Sequence, residues 1–312
     1  MPLRIVFCGT PAFAVPSLRL LLAQPDFEVA SVITQPDRPR GRGHETSVSP
    51  VKAAALEANL AVFQPEKIRS DESRDYIERT GADVIVIIAY GQIIPAGLIA
   101  IPRLGWINLH GSLLPKYRGA APINWAIVNG ERHTGLTTMQ INPGLDTGPM
   151  LLKYETDIAP DETAPQLASR LSEAGAPLMV ETLRKLASGE IHPVPQDGSQ
   201  ASFAPILKKE NGMVDWSLTA EQIYNRIRGL QPWPGTFTKF RGKTCHIWGA
   251  RAQMPISAPA GTVLSHDNQV LVACGNHTTL ALEFVQMEGR KRVTGREFAN
   301  GARLARGDKF GD

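Results

Sequence analysis

The sequence predicts an α/β fold: a Rossmann-like, mostly parallel sheet flanked by helices, followed by a smaller all-β domain, an OB-like barrel. One observation behind this is the alternation of short apolar β runs with helical stretches through the N-terminal half, the pattern of βαβ units. Another is Asp83-Val84-Ile85-Val86-Ile87-Ile88-Ala89-Tyr90, a continuous apolar run of the kind a strand buried on both faces requires. The last is a change in the C-terminal third to short β runs separated by turn signals at intervals of roughly ten residues, which suggests an antiparallel barrel or sandwich.

The elements follow in order. Residues 4–8 form a first strand, broken by Gly9-Thr10-Pro11, and 16–23 a helix. Residues 28–34 are a second strand, and 51–59 and 71–80 are helices. After the run at 83–90, residues 106–110 give a further strand, and 135–141 and 150–155 two more, antiparallel at the sheet edge. Thr163 caps a long helix reaching about Leu186, with Leu167, Leu171, Ala174 and Leu178 as its buried stripe and Pro177 as a kink. The segment from Ser188 to Ala204 is rich in Gly, Pro and Ser and reads as a linker. A helix at 220–230 opens the second domain. Strands at 236–240, 243–248, 261–265, 269–273 and 278–285 follow. The expected division is a catalytic domain over 1–189, a linker over 190–208 and a barrel domain over 209–312.

With 312 residues, 43% hydrophobic and 20% charged, the chain has the composition of a globular enzyme of two domains. No apolar run approaches the roughly 18 residues that span a bilayer, so no membrane association is expected. The start, Met1-Pro2-Leu3-Arg4-Ile5-Val6-Phe7, has no signal-peptide layout, and the 3 cysteines, Cys8, Cys245 and Cys274, have no metal or disulfide spacing. Both point to the cytoplasm. The formal net charge is +3, unevenly placed. Residues 209–312 carry 14 Lys+Arg against 9 Asp+Glu, and the remainder is slightly acidic. A basic C-terminal part is compatible with a polyanionic partner.

Asn108 and His110 lie two residues apart at the end of a strand and so point to one face. The carboxyl ends of parallel strands are where such sheets bind ligands. Asp146, in Gly144-Leu145-Asp146-Thr147-Gly148, is either turn chemistry or a third member of the same site. An amide, an imidazole and a carboxylate suit acyl-type transfer without a covalent nucleophile, since no GxSxG surrounds Ser112. Gly9-Thr10-Pro11-Ala12-Phe13-Ala14 lacks the later glycines of a dinucleotide loop, which disfavours a nicotinamide cofactor. Arg38, Arg40 and Arg42 stand in one Gly/Pro-rich loop. That loop is either a solvated connection or a flexible arm for phosphates.

Asn108-Leu109-His110-Gly111-Ser112-Leu113-Leu114-Pro115 taken with Asp146 resembles the folate-dependent formyltransferases. The resemblance extends through Phe7-Cys8-Gly9-Thr10-Pro11, Thr34-Gln35-Pro36-Asp37-Arg38, Gly41-Arg42-Gly43, Ser49-Pro50-Val51-Lys52, Ala89-Tyr90-Gly91, Val214-Asp215-Trp216-Ser217 and Pro232-Trp233-Pro234-Gly235. The arginine loop and the barrel-like tail narrow it to the branch that formylates methionyl-tRNA. His44-Glu45-Thr46 departs from the basic character expected after Gly43. The resemblance implies 10-formyltetrahydrofolate as co-substrate, no metal, and the α-amino group of initiator methionyl-tRNA as acceptor, giving N-formylmethionyl-tRNA for translation initiation. It implies that Asn108 and a protonated His110 stabilise the oxyanion. Asp146 would keep His110 charged and relay the amine's proton. Ile88, Tyr90, Gly91, Ser112, Leu113, Leu114 and Pro115 would line the folate pocket. Arg38, Arg40 and Arg42, with Lys239, Arg241 and Lys243, would meet the tRNA. A monomer is expected.

Rival readings share parts of this pattern. A formyltransferase for a small amine, such as glycinamide ribonucleotide or an amino sugar, would carry the same trio without the arginine loop and this C-terminal domain. A non-catalytic RNA-binding protein would bind no folate. A hydrolase of the folate donor would leave the basic barrel without a purpose.

Overall fold

The strand Leu3–Gly9 (β1) has Ile5, Val6, Phe7 and Cys8 with no exposed surface, so both of its faces are covered. The computed structural model describes residues 1–40, 45–253, 258–265 and 269–311, with the side chains of 39, 40 and 45–47 outside that description. Along the chain follow α1 (Val15–Leu22), β2 (Phe27–Ile33), the short strands β3 (Arg38–Arg40) and β4 (Glu45–Ser47), α2 (Pro50–Glu57), β5 (Val62–Phe63) and α3 (Asp71–Thr80). Next come β6 (Val84–Ile88), α4 (Ala96–Ile99), β7 (Trp106–His110), α5 (Pro122–Val128), β8 (His133–Gln140), β9 (Met150–Asp157) and α6 (Ala164–Ser188). The 7-stranded sheet has the order β5-β2-β1-β6-β7-β8-β9. It is parallel from β5 to β7, and β8 and β9 are antiparallel. This is the Rossmann-like arrangement that the alternation predicts, with the antiparallel pair at the expected edge.

The chain divides into two compact units. One comprises Met1–Gly119, His133–Asp157 and Ala168–Ala204; the other comprises Ala120–Arg132, Ile158–Leu167 and Pro205–Asp312. In the first unit the central strands end where chemistry can begin. The apolar run expected at 83–90 leaves the sheet at Ile88, because Ala89 turns to φ 49. Thr10, just past β1, donates through its hydroxyl to the Tyr90 carbonyl at 3.3 Å and accepts from the Gln35 amide at 3.4 Å. The loops that follow β1, β2 and β6 are thereby tied together at the carboxyl edge of the sheet.

Helix boundaries follow their caps. Ser49 accepts from the Lys52 amide with Pro50 in the first turn, and Ser70 accepts from Ser73 while Gly81 ends α3 at φ 59. At the start of α6 the Thr163 amide donates to Gln166 Oε1 at 2.9 Å, one half of a capping box. The helix then runs unbroken through Pro177, whose missing amide leaves one turn without its bond. Packing of α6 on the sheet depends on Gly175: a Cβ there would lie 2.5 Å from Leu109 Cδ2 and 3.3 Å from Leu136 Cδ1. The polar stretch expected as a linker is hydrogen-bonded into this unit. Val194 and Met150 exchange two backbone bonds at 2.8 Å, and Arg118 pairs with Ser202 and Ala204 at 2.8 and 2.7 Å.

The second unit holds α5, α7 (Ala220–Gly229), β10 (Thr236–Phe240), β11 (Lys243–Gln253), β12 (Val263–Ser265), β13 (Val270–Ala273), β14 (Thr279–Met287), β15 (Val293–Thr294) and α8 (Gly295–Ala302). The antiparallel order is β10-β11-β14-β13-β12, with β15 also on β14. The C-terminal residues join the two free edges: Phe310 bridges to Phe240, and Lys309 to Thr262. That is the antiparallel barrel predicted from the turn spacing. Its interior is apolar, with Trp216, Ile247, Val263, Val272, Leu280, Val285 and Phe298 buried. Thr219 and Gln222 cap α7 reciprocally.

Substituting Gly175→Val should force α6 off Leu109 and destabilise the chain by about 1–3 kcal/mol, read as a lower denaturant midpoint at unchanged slope. An unchanged midpoint would contradict this close approach.

Candidate active site

Asn108 and His110 stand at the carboxyl end of β7, in the middle of the sheet. Asn108 is level with Ile87 on β6 and Met139 on β8, and His110 is level with Thr137. In-register neighbours share a face, so Asn108 and His110 project together with those three side chains. His110 is 5% exposed, and its Nε2 lies 2.9 Å from the carbonyl oxygen of Tyr117. A carbonyl only accepts, so Nε2 carries a proton, and Nδ1 is the nitrogen left for other work. Tyr117 itself sits at φ 60, and its amide donates to Ser202 Oγ at 2.9 Å. Asn108 is half-buried, and its side-chain amide has no hydrogen-bond partner among the described residues.

Asp146 comes from the loop between β8 and β9 and meets this pair. Its Oδ2 accepts from the Gly119 amide at 2.8 Å and lies 3.8 Å from His110 Nδ1. The first is a hydrogen bond, and the second is an ionic approach beyond hydrogen-bond length. The loop is a built turn. Asn142 Oδ1 accepts from the Gly144 amide at 3.1 Å and from Thr147 Oγ1 at 2.8 Å, and Asp146 takes φ 49. Asp146 thus stands beside His110, whose strand face Asn108 shares; strand spacing accounts for the Asn108–His110 pair, and the turn brings Asp146 to it.

Beside them is a cleft of about 320 Å³ lined by Ile87, Gln92, Ile93, Ile94, Met139, Ile141, Asn142, Pro143, Gly144, Leu145 and Asp146. The residues expected to line a folate pocket are distributed unequally around it. Ile88 and Leu114 have no exposed surface, and Ser112 is 1% exposed with its hydroxyl donated to the Lys116 carbonyl at 2.6 Å. Their side chains belong to the core. Leu113 and Pro115 are half-buried and Gly91 is exposed. Tyr90 is buried. Burial pushes its phenol well above the usual range, so it stays protonated, and its hydroxyl has no partner among the described residues. Gln92–Ile94, part of the Ile88–Ile94 run whose backbone the resemblance sets against the folate ring, form one wall, and the 141–145 turn, which the sequence reading missed, forms another. Ile93, a large apolar side chain left 85% exposed, is the signal that only the structure supplies.

The basic residues expected to meet RNA also differ among themselves. Arg42 lies outside the described residues, as does the side chain of Arg40. Arg38 is exposed, 3.9 Å from an equally exposed Glu66, a pairing worth little in water. At the base of that loop Lys52 pairs with Asp37, and Gln64 donates to the same carboxylate at 3.0 Å. The Lys52 ammonium, aided by Gln64, holds Asp37 below the usual carboxylate range against the opposing effect of its partial burial. In the second unit Lys243 is exposed, and Lys239 donates to Thr244 Oγ1 at 3.2 Å. Arg241 is committed: it donates to the Ala302 carbonyl at 2.7 Å, pairs with Asp308 at 2.8 Å and lies over the Phe240 ring at 4.9 Å. Its first duty is to join the end of α8 and the segment around Asp308 to the turn after β10. Beside it, Lys243, Arg290 and Lys291 rim a cleft of about 670 Å³ floored by Phe240, Met287, Val293 and Phe298, and Arg292 lies 4.2 Å over Trp248. Gly289-Arg290-Lys291-Arg292 is legible in the sequence as a basic run. Among the described residues no cluster of three or more His, Cys, Asp or Glu could hold a metal, and no helix is long and apolar enough to cross a membrane.

The formyl transferase family model matches residues 3–183, and the model of the formyl transferase C-terminal domain matches 206–303. A methionyl-tRNA formyltransferase of Solibacter usitatus is 53% identical over 99% of this chain and 99% of its own length. One from Koribacter versatilis is 51% identical over 98% of each chain. Among solved structures, the sugar 3N-formyl transferase WlaRD superposes with a TM-score of 0.69 at 18% identity, covering 93% of this chain and 100% of its own. An N-formyltransferase from Helicobacter canadensis gives 0.67 at 17%, covering 92% and 100%. At those identities they attest the fold. The sequence matches, which cover both units, establish that this chain belongs to the formyl transferase family.

Proposed function

We propose that the chain transfers the formyl group of 10-formyltetrahydrofolate to the α-amino group of initiator methionyl-tRNA, giving N-formylmethionyl-tRNA. The observation that carries this reading is the meeting of Asn108, His110 and Asp146 at the carboxyl edge of the sheet, in a chain with methionyl-tRNA formyltransferase relatives over its full length. The cleft beside the trio suits a flat, polar-edged ring. Ile87, Ile94, Met139 and Leu145 offer apolar walls, and the backbone of the 142–146 turn offers hydrogen-bonding groups. Its volume of about 320 Å³ lies near the low end of the ~300–1000 Å³ typical of small-molecule sites, room for the ring system of a folate.

The folate supplies an electrophilic formyl carbon, and the residues do the rest. The Asn108 amide, without another partner, is placed to donate to the formyl oxygen as it gains charge. One such donor is worth about 3–4 kcal/mol in comparable sites. His110, with Nε2–H fixed on Tyr117, presents Nδ1 on the side of Asp146. Asp146 keeps Oδ2 on the Gly119 amide and has Oδ1 to accept, through water, the proton that the attacking amine loses; that proton is returned to the folate nitrogen as its bond to the formyl carbon breaks. Residues 1–189 then serve mainly as the transferase domain, 190–208 as a connection whose first part, to Ala204, is bonded into it, and 209–312 as the RNA-binding domain. Arg38, Arg40, Arg42, Lys239, Lys243 and the basic run at 290–292 serve as phosphate contacts. The enzyme acts as a cytoplasmic monomer.

Transfer of labelled formyl from 10-formyltetrahydrofolate, with methionyl-tRNA and a nucleotide-linked amino sugar offered separately, tests the reading. Label should enter only the tRNA; label in the sugar alone would replace the acceptor, and free formate alone would make the chain a hydrolase. Asp146→Asn and His110→Ala should each lower kcat by about a hundredfold or more with melting temperature little changed, and near-normal turnover would remove the mechanism. Arg42→Glu should reduce kcat/KM for tRNA while leaving folate binding intact; an unchanged kcat/KM would refute a role for that arginine. Affinity for tRNA should fall linearly with salt on logarithmic axes, and a flat response would argue against phosphate contacts.

A further inference from the structure

Asp146 is a non-glycine residue at φ 49, a conformation that its surroundings must hold. Two groups hold it. Its carboxylate takes the Gly119 amide, while its backbone carbonyl takes the side chain of Gln196. Gln196 Nε2 spends both protons on carbonyls of this loop, Asp146 at 2.8 Å and Gly148 at 2.7 Å. Gln196 Oε1 accepts from Arg118 Nε at 3.0 Å and Nη2 at 2.7 Å. A guanidinium can only donate, so this contact fixes which end of the amide is oxygen and turns the nitrogen toward the loop. The arginine is itself built in. It is 9% exposed, its amide donates to Ser202 and its carbonyl accepts from Ala204. Gly119, at φ 122, has no space for a Cβ, which would lie 2.6 Å from the Ala204 carbonyl oxygen. Thus Arg118-Gly119 grips Asp146 at both ends, at the carboxylate directly and at the main chain through Gln196.

We propose that Arg118 and Gln196 are positioning residues for Asp146. They act by fixing the height of its carboxylate against His110 Nδ1, and neither touches the reacting atoms. This rests on the reading of Asp146 as part of a formyl-transfer site. Gln196 lies in a Gly/Pro/Ser-rich stretch whose composition marks it as a connection. Its contacts make that stretch part of the site's support.

Gln196→Met keeps the length of the side chain and removes its hydrogen bonds. In formyl transfer from 10-formyltetrahydrofolate to methionyl-tRNA it should lower kcat by about 10- to 100-fold, as a displaced catalytic group does, with KM for both substrates unchanged within about twofold. On an Asp146→Asn background the same change should cost little more, because the group it positions is already disabled. Gln196→Glu, which still accepts from Arg118 but has no N–H for the two carbonyls, is the second variant and is read by the same criteria should the first fail to fold. A kcat within about threefold of wild type, or an equal loss on both backgrounds, would overturn the proposal. Wild-type turnover separates the two ideas: without it the function reading fails, and with it an active Gln196 variant sinks only the positioning role.

Discussion

The site depends on one buried hydrogen bond, from His110 Nε2 to the carbonyl of Tyr117. It fixes the plane of a ring that has 5% of its surface exposed, and it fixes which nitrogen carries the proton. An imidazole N–H buried without a partner would cost about 1–3 kcal/mol; here the backbone satisfies it, and Nδ1 is left facing Asp146. The carbonyl is available because Tyr117 turns to φ 60 and its amide is held by Ser202. The end of β7, the loop after it and the stretch near 200 must therefore be in place together before the ring takes this orientation.

The same economy runs through the loops at the carboxyl edge. Thr10, Gln35 and the Tyr90 carbonyl tie together the ends of β1, β2 and β6, and Thr137 ties the 112–114 turn to β8 through bonds of 2.8 and 3.1 Å. Thr137 is buried, Thr10 and Gln35 are half-buried, and each is hydrogen-bonded through its side chain. Asn108 is half-buried and has no such occupation among the described residues. On the proposed reading, this open amide is the donor that meets the formyl oxygen.

The central architecture was legible because it is written in periodicity. Buried strands are continuous apolar runs, and the Asn-x-His spacing follows directly from strand pleating. The order of β8 and β9 and the turn spacing of the barrel came through for the same reason. What was not legible depends on partners distant in sequence. Nothing local distinguishes Ser112 and Leu114, spent in the core, from Leu113 and Pro115, half-buried beside them. Arg241 reads as a surface cation, yet its carbonyl and carboxylate partners lie some sixty residues on. Gln196 sits in a segment with linker composition, and only its bonds to Arg118, Asp146 and Gly148 reveal what it does. Residue type reports which chemistry is possible; three-dimensional neighbours decide which of it is used.

Before any substrate binds, the protein fixes the His110 ring with its proton on Nε2 and Nδ1 turned to Asp146. Nitrogen-15 chemical shifts and two-bond couplings of the imidazole, assigned by comparison with His110→Ala, test it most directly. The neutral ring of His110 should carry its proton on Nε2, and Asp146→Asn should leave this so, because the Tyr117 carbonyl sets it. A neutral ring protonated on Nδ1 would contradict the geometry on which the proposed chemistry stands.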